Sequence, residues 1–218
     1  KSAEIEATAG MPLSNGTNGT VDGTAHQSFI NLIENYSFNT LGVVVTDETT
    51  KKLYTAFTKR MRDDVGSKFQ TVLYNCKADY EGVINLKNKV TDEGTNEASL
   101  VYWVTGAEGA CAVNSSLTNK MYNGEYTIFA EYTQSELEKA IKDGEFTFHK
   151  VGNDVNVLTD ITSLTTLTED KNELFQSNQT VRVCDQIGND IAVLFNTKYI
   201  GKIPNDASGR VSLWTDVT

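Results

Sequence analysis

The stretch YTAFTKRMRDDVGSKFQTVLYN, Tyr54–Asn75, decides how the rest of the chain is read. Its first half gathers charges between Lys59 and Lys68, and its second half turns abruptly apolar. Leu53, Phe57, Met61 and Val65 recur at every fourth position with Tyr54 on the same side, so Glu48 to Val65 reads as an amphipathic helix. Lys52, Lys59, Arg60, Arg62 and Asp63 fall mostly outside that stripe, which makes the cluster a solvated face. Asp63 and Asp64 beside Arg60 and Arg62 cancel much of the local field, a poor cradle for phosphate. Gly66 stands where a left-handed helix cap belongs, and KFQTVLYN resumes as a strand. Burying the stripe contributes ~1.5–3 kcal/mol per large apolar side chain before chain entropy opposes it.

Upstream, TLGVVVT (Thr40–Thr46) is a short β-branched run that fits a strand buried on both faces. Asp47 after it is placed to cap the helix. Thr24 is placed to cap an earlier helix over AHQSFINLIENY, where Phe29, Leu32, Ile33 and Tyr36 fall at helical spacing. LSNGTNGTVDGT (Leu13–Thr24) has almost nothing to bury and reads as loop or linker. Downstream, GVINLKN (Gly82–Asn88) is another strand, and this alternation predicts a parallel sheet covered by helices. EASLVYWVTGAEGACAV (Glu97–Val113), rich in Ala and Gly, suits a helix pressed against that sheet, and EYTIFAEY reads as a strand. TQSE (Thr133–Glu136) is a capping box whose helix ends at Gly144, and FTFHKVGNDVNVL turns as a hairpin around Gly152-Asn153-Asp154.

After TDITSLTTLTEDKNELF the pattern changes. Val181, Cys184, Ile187, Ile191, Leu194 and Phe195 trace one stripe on a helix from Ser177 to Gly201, capped by Ser177 or Asn178. That stripe is expected to face a core and to bury Cys184. NDASGRVSLWTDVT opens one more helix. The organisation read from these patterns is a linker over 1–23, an α/β domain over 24–165 and a small C-terminal domain over 166–218.

Bulk properties exclude several classes. At 218 residues, 39% hydrophobic and 22% charged, the chain has the composition and length to bury a sizeable core. A formal charge of −10 argues against nucleic acid, whose binders carry an excess of Lys and Arg. No apolar run approaches the ~20 residues of a membrane helix. The start, KSAEIEATAG, lacks an initiator Met and the apolar core of a signal peptide, and reads as the interior of a longer chain. Cys76, Cys111 and Cys184 are odd in number and widely spaced, which favours free thiols over a disulfide scaffold.

Chemistry is hard to find. The two histidines, His26 and His149, have no Cys, His or carboxylate at metal-ligand spacing, so no metal or other cofactor is expected. There is no G-x-S-x-G elbow, and YIGKIP lacks the upstream glycine of a phosphate loop. No catalytic residue is assigned. A degenerate hydrolase and a ligand-binding α/β module stay open as alternatives, the first needing a serine near a histidine, the second a deep apolar pocket at the strand ends.

Longer stretches carry a resemblance. YSFNTLGVVVTDE, FTKRMRDDVGSKFQTVLYN, ADYEGVI, EASLVYWVTGAEGACAVN, YTQSELEKAIKDGEFTFHKVGNDVNVL and SNQTVRVCDQIGNDIAVLFNTKYIGKIPNDASGRVSLW closely resemble contractile tail sheath proteins of myophages, prophages and phage-tail-like bacteriocins, over about Ala7 to Asp216. The resemblance implies a subtilisin-like α/β sheet domain followed by a small conserved C-terminal α+β domain. It implies a structural subunit, not an enzyme, in a virion or phage-tail-like particle assembled in the bacterial cytoplasm. Its expected partners are other sheath subunits, the tail tube protein and the baseplate. Family members carry terminal arms that join neighbouring subunits; a core without them is expected to be monomeric. Lys198, Lys202 and Arg210, charged positions of the C-terminal domain, are the candidate tube-facing contacts.

Overall fold

The computed structural model describes Gly19 and residues 21–218, so the linker expected over 1–23 lies almost wholly outside the described residues. The chain runs α1 (Gly23–Ile33), β1 (Thr40–Val43), α2 (Glu48–Lys59), β2 (Gln70–Tyr74), β3 (Val83–Leu86), α3 (Leu100–Ala110), α4 (Gln134–Lys142), β4 (Glu145–Phe146), β5 (Phe148–Val151), β6 (Asp154–Val157), α5 (Asn178–Leu194) and α6 (Ala207–Val217). Strands β1 to β4 form one parallel sheet in chain order, and β5–β6 form an antiparallel hairpin. The mixed α/β architecture expected from the alternating pattern is present.

Side-chain alternation splits the core across the sheet. Val72, Tyr74, Ile84 and Leu86 point to one face, where Leu100, Val101 and Val104 of α3 meet Phe146, Phe148 and Val157. Leu73 and Val83 point to the other, where Tyr54, Phe57 and Met61 close over them with Ile30 of α1. Every residue of β2 and β3 is buried, as central strands covered on both faces require. β1 is different. It is an outer strand, and of its residues only Val43 is buried, so the expectation of a strand buried on both faces is corrected.

Caps behave largely as their chemistry dictates. Asp47 accepts from the Thr50 amide at 2.7 Å, and the capping box at Thr133 and Glu136 is formed in both directions. The first helix is capped by Asp22, not Thr24, and its buried residue is Ile30, which leaves Phe29, Leu32 and Tyr36 exposed. α5 begins after Ser177, which makes no side-chain cap; Asn178 spends its amide elsewhere. EYTIFAEY is not a strand: Ile128 makes one isolated bridge to Val90, and its neighbours close that short ladder through Thr91–Thr127 and Phe129–Lys89 hydrogen bonds. Over 166–218 the elements are helical, with one isolated bridge between Ser177 and Ile161, so the β share expected of the C-terminal domain is reduced to that contact among the described residues.

Two left-handed glycines separate conformation from contact. Gly144 (φ +64) ends the α4 region, and a Cβ there would sit 3.0 Å from the Ser163 backbone carbonyl. Gly152 (φ +65) turns the hairpin with nothing within 4 Å of the same position. Gly152→Ala should therefore cost only the left-handed penalty, ~1 kcal/mol, while Gly144→Ala should cost about 1–2 kcal/mol more. Urea unfolding of the two variants measures the difference, and equal midpoints would remove the Ser163 contact from the account.

Candidate functional site: the polar junction of α5 with the sheet

The charge cluster between Lys59 and Lys68 is not all solvated. After Lys59, α2 continues as a π-helical turn, Arg60–Val65. A wider turn shifts the helical phase, so the every-fourth-residue stripe fails there. Val65 swings out to solvent, and Arg62 turns inward to 4% exposure. The placement of Arg62 on the wet face is thus corrected; Arg60, Asp63 and Asp64 do remain exposed. Gly82 makes room for the Arg62 stem, since a Cβ there would meet Arg62 Cδ at 2.5 Å. The guanidinium then reaches α5, donating from Nη1 and Nη2 to the two Asp185 carboxylate oxygens at 2.6 and 2.8 Å, and also to the Phe69 carbonyl. This fork-on-fork geometry suits Arg and not Lys.

Asp185 is one of four polar residues by which α5 sits on the sheet. Asn178, Arg182, Asp185 and Asn189 recur at helical spacing and all point inward. Asn178, fully buried, accepts from Gln70 Nε2 at 2.9 Å and donates to Asp160 Oδ1 at 2.8 Å and the Ile161 carbonyl at 3.0 Å. Arg182 bridges Glu108 of α3 and Asp160, the latter at 3.0 Å, and donates to the Ser115 carbonyl at 2.9 Å. Asn189 exchanges two hydrogen bonds with the Lys68 backbone, at 3.3 and 3.1 Å. Glu108 and Asp160 are 2% and 3% exposed.

This inverts the expected orientation of α5. Only Asn178 and Val181 are buried on it, while Ile187, Ile191 and Phe195 are exposed and Leu194 is half-buried. Cys184 is exposed, and the expectation that it is buried is wrong because the docking face is the polar one. All three cysteines are free thiols, with Cys76 buried. α6 adds further exposed apolar surface, with Trp214 at 72%.

A second tie fixes the chain where it leaves the sheet. Asp79, itself left-handed (φ 47), accepts from the Thr165 amide at 2.7 Å, the Thr165 hydroxyl at 2.9 Å and the Thr166 amide at 2.8 Å. Burial alone pushes its carboxyl up, but these donors hold it well below the usual carboxylate range.

The residues proposed from sequence take different partners. Lys198 pairs with Asp216 at 2.6 Å, and Lys202 donates to the Thr197 carbonyl at 2.5 Å. Arg210 on α6 makes no ion pair among the described residues and borders a groove with Phe195, Tyr199, Ile203, Pro204 and Leu213. His26 Nδ1 shares a hydrogen bond with the Tyr54 hydroxyl at 3.0 Å, and His149 lies on β5; neither bonds to a serine among the described residues. The cleft at the carboxyl end of β2, about 600 Å³, is lined by Lys52, Lys59, Lys77 and Glu48, which makes it a charged surface groove and not an apolar pocket. Among the described residues no His/Cys/Asp/Glu group could hold a metal, and no helix is long and apolar enough to cross a membrane.

Two variants probe the junction. Arg62→Met leaves Asp185 and the Phe69 carbonyl without their partner, and should lower unfolding stability by about 3–5 kcal/mol. Arg62→Met with Asp185→Leu should recover most of that loss, because replacing both charges with apolar groups avoids stranding either. A double-mutant cycle in urea reads the coupling, and additive effects would show the pair to be energetically idle. For Asp79→Asn, the expected loss is about 1 kcal/mol, discounted for exposure. Because the folded-state pKa of Asp79 is depressed, its contribution is present above the ordinary carboxylate range and is lost as pH falls through the folded value. The gap between wild type and Asp79→Asn should therefore close in acid, and a gap unchanged down to strongly acidic pH would contradict the assignment.

Comparison with known proteins places this arrangement. Residues 19–163 match the phage tail sheath protein central domain, and residues 170–218 match the phage tail sheath C-terminal domain. The uncharacterised Bacillus subtilis protein YqbK is 38% identical over 196 residues, covering 87% of this chain and 42% of its own. A sheath tail protein from Desulfitobacterium hafniense has a crystal structure similar to this one at TM-score 0.84 and 39% identity, covering 99% of this chain and 52% of that one. The helical sheath of the anti-feeding prophage in its contracted state shares the fold at TM-score 0.66 and 15% identity, over 92% of this chain and 58% of that one. The chain thus spans only part of each of these proteins, from 42% to 58% of their length. Sheet unit and C-terminal helices alike point one way: the chain belongs to the phage tail sheath protein family.

Proposed function

We propose that this chain is part of a structural subunit that polymerises into a sleeve around a tail tube, and that contraction of the sleeve drives the tube through a cell envelope. The observation that supports the reading most is the 0.84 TM-score to a sheath tail protein at 39% identity over 99% of the chain. The family is one of sheath proteins, not of enzymes. The likeness to a contracted helical sheath, at 15% identity, is a likeness of fold. Other sheath subunits, the tube protein and a baseplate are the proposed partners, in a virion or phage-tail-like particle assembled in the bacterial cytoplasm.

The surface chemistry fits a subunit. β1 and β4 are the outer strands of the sheet, where main-chain groups can pair with a neighbour's strand. The C-terminal helices keep Ile187, Val193, Ile200, Val211 and Trp214 exposed, more apolar surface than a small free-standing unit usually leaves open. Of the three proposed tube-facing residues, Lys198 and Lys202 already have intramolecular partners and Arg210 does not form an ion pair among the described residues. Arg210 should therefore carry most of the charge contact.

Co-expression of the whole protein with its tube protein, followed by electron microscopy, tests the reading. Sleeves around tubes are expected. Arg210→Glu should reduce co-assembly more than Lys198→Glu does, and more so at low salt, because exposed pairs are screened. Whole protein that remains dispersed beside well-formed tubes would overturn the sheath reading, while sleeves indifferent to Arg210→Glu would remove that residue from the tube contact. Peptidase or esterase turnover lost on His26→Ala would contradict the non-enzymatic part.

A further inference from the structure

The junction buries two carboxylates against one guanidinium, and that count does not balance. Glu108 from α3 and Asp160 from the segment after β6 share two donors, the Asn178 amide and the Arg182 guanidinium of α5, which brings the two carboxyls together. Both acids are nearly inaccessible. Two buried anions facing one cation leave a net negative charge in a poorly solvated place, a costly arrangement that a single proton removes.

The donors say which carboxyl holds the proton. Asp160 accepts from the Leu117 amide at 3.0 Å, Asn178 Nδ2 at 2.8 Å, Arg182 Nη2 at 3.0 Å and the Ser116 hydroxyl at 3.2 Å. A carboxylate so surrounded is stabilised as the anion. Glu108 receives only Arg182 Nη1 and a longer contact from Asn178 at 3.3 Å, two donors against the four on Asp160. Burial pushes Glu108 well above its ordinary range, the Asp160 charge pushes it further, and Arg182 opposes both. On Asp160 burial acts upward, but the bonds from Glu108, Leu117, Arg182 and Asn178 prevail and hold it low. The other ionisable groups nearby are the Cys111 thiol at the end of α3, raised chiefly by burial, with Lys120 acting on it from a distance, and Lys68 and Asp185 around the same cavity. That cavity, about 60 Å³ with Glu108, Arg182 and Gln70 in its wall, is roomy enough for water to exchange the proton.

We propose that Glu108 is a protonated acid that donates to ionised Asp160, and that this shared proton makes the docking of α5 on the sheet proton-coupled: the latch is closed at acidic to neutral pH and loosens as pH rises. The sign follows from linkage. The folded state binds a proton that the unfolded state has lost above the ordinary glutamate range, so folding takes up one proton and stability falls with rising pH until Glu108 ionises in place. One proton corresponds to an unfolding constant that rises about tenfold per pH unit across that window.

Glu108→Gln tests it, because the amide keeps a donor towards Asp160 and cannot titrate. Urea unfolding of wild type and Glu108→Gln from pH 5 to about 8 should give an unfolding-constant ratio, wild type over variant, that climbs by up to about tenfold per pH unit. A ratio flat across that range would overturn the proposal. The infrared carbonyl band of a protonated carboxylic acid gives a reading that does not depend on stability. It should be present in the wild-type protein at neutral pH and absent from Glu108→Gln. It should also be lost in Asp160→Asn, where Glu108 becomes the sole counter-ion of Arg182 and ionises. No such band in wild type, or a band that survives Glu108→Gln, would show that the proton is not on Glu108, even if one variant folds poorly.

Discussion

Two arginines, Arg62 buried and Arg182 mostly so, hold the C-terminal helices to the sheet unit. Arg62 grips Asp185 from the π-helical turn after α2, and Arg182 reaches back from α5 to Glu108 and Asp160. A guanidinium is a rigid planar fork, so each pairing fixes orientation as well as contact. An apolar seam would tolerate sliding and rotation of a helix on its bed. This one does not, because a small displacement strands a buried charge, and the penalty for that exceeds the worth of most apolar contacts. Positions around the junction are subordinate to it: Gly82 is small so that Arg62 can pass, and Asn178 gives up a capping role to join the network.

Much of the sheet unit was legible in the sequence, for local reasons. Asp47, Thr133 and Gly66 act within a few residues of themselves, and caps of that kind need no knowledge of the fold. The β2 and β3 runs are apolar on both sides because both faces are covered, and they read as such. β1 comes from a similarly short, β-branched run but lies at an edge, and nothing in a four-residue strand distinguishes the two situations. EYTIFAEY differs for a related reason: Tyr126 and Ile128 pack on the core with only a fragment of ladder behind them.

The junction was not legible, and its misreading is instructive. Periodicity assigns the apolar stripe to the inside, and on α5 the inside belongs to Asn178, Arg182, Asp185 and Asn189. Those four were visible at helical spacing, yet polar spacing alone cannot be told from a wet face. Arg62 was hidden by a change of helical pitch, since a π turn breaks the four-residue arithmetic that put it outside. The resemblance to tail sheath proteins was carried by long segments and not by any motif with chemistry in it. Exposed apolar surface on α5 and α6 agrees with a protein whose work lies in contacts with neighbours, the reading proposed above.

The sequence distance across the junction has a bearing on how the chain reaches its native state. Arg62 and Asp185 are 123 positions apart, and Arg182 lies 74 beyond Glu108. In a chain made from its N-terminus onward, the strands and α3 have emerged before Asp185 exists to meet Arg62. At synthesis speeds of ~5–20 residues per second, the interval is of order seconds, long compared with local helix formation. During it Arg62, Glu108 and Asp160 stay hydrated, and the sheet's apolar faces can consolidate without them. Docking α5 then becomes a late, long-range closure in which all four of its polar residues find partners together, a step that sets an order of assembly within the subunit itself.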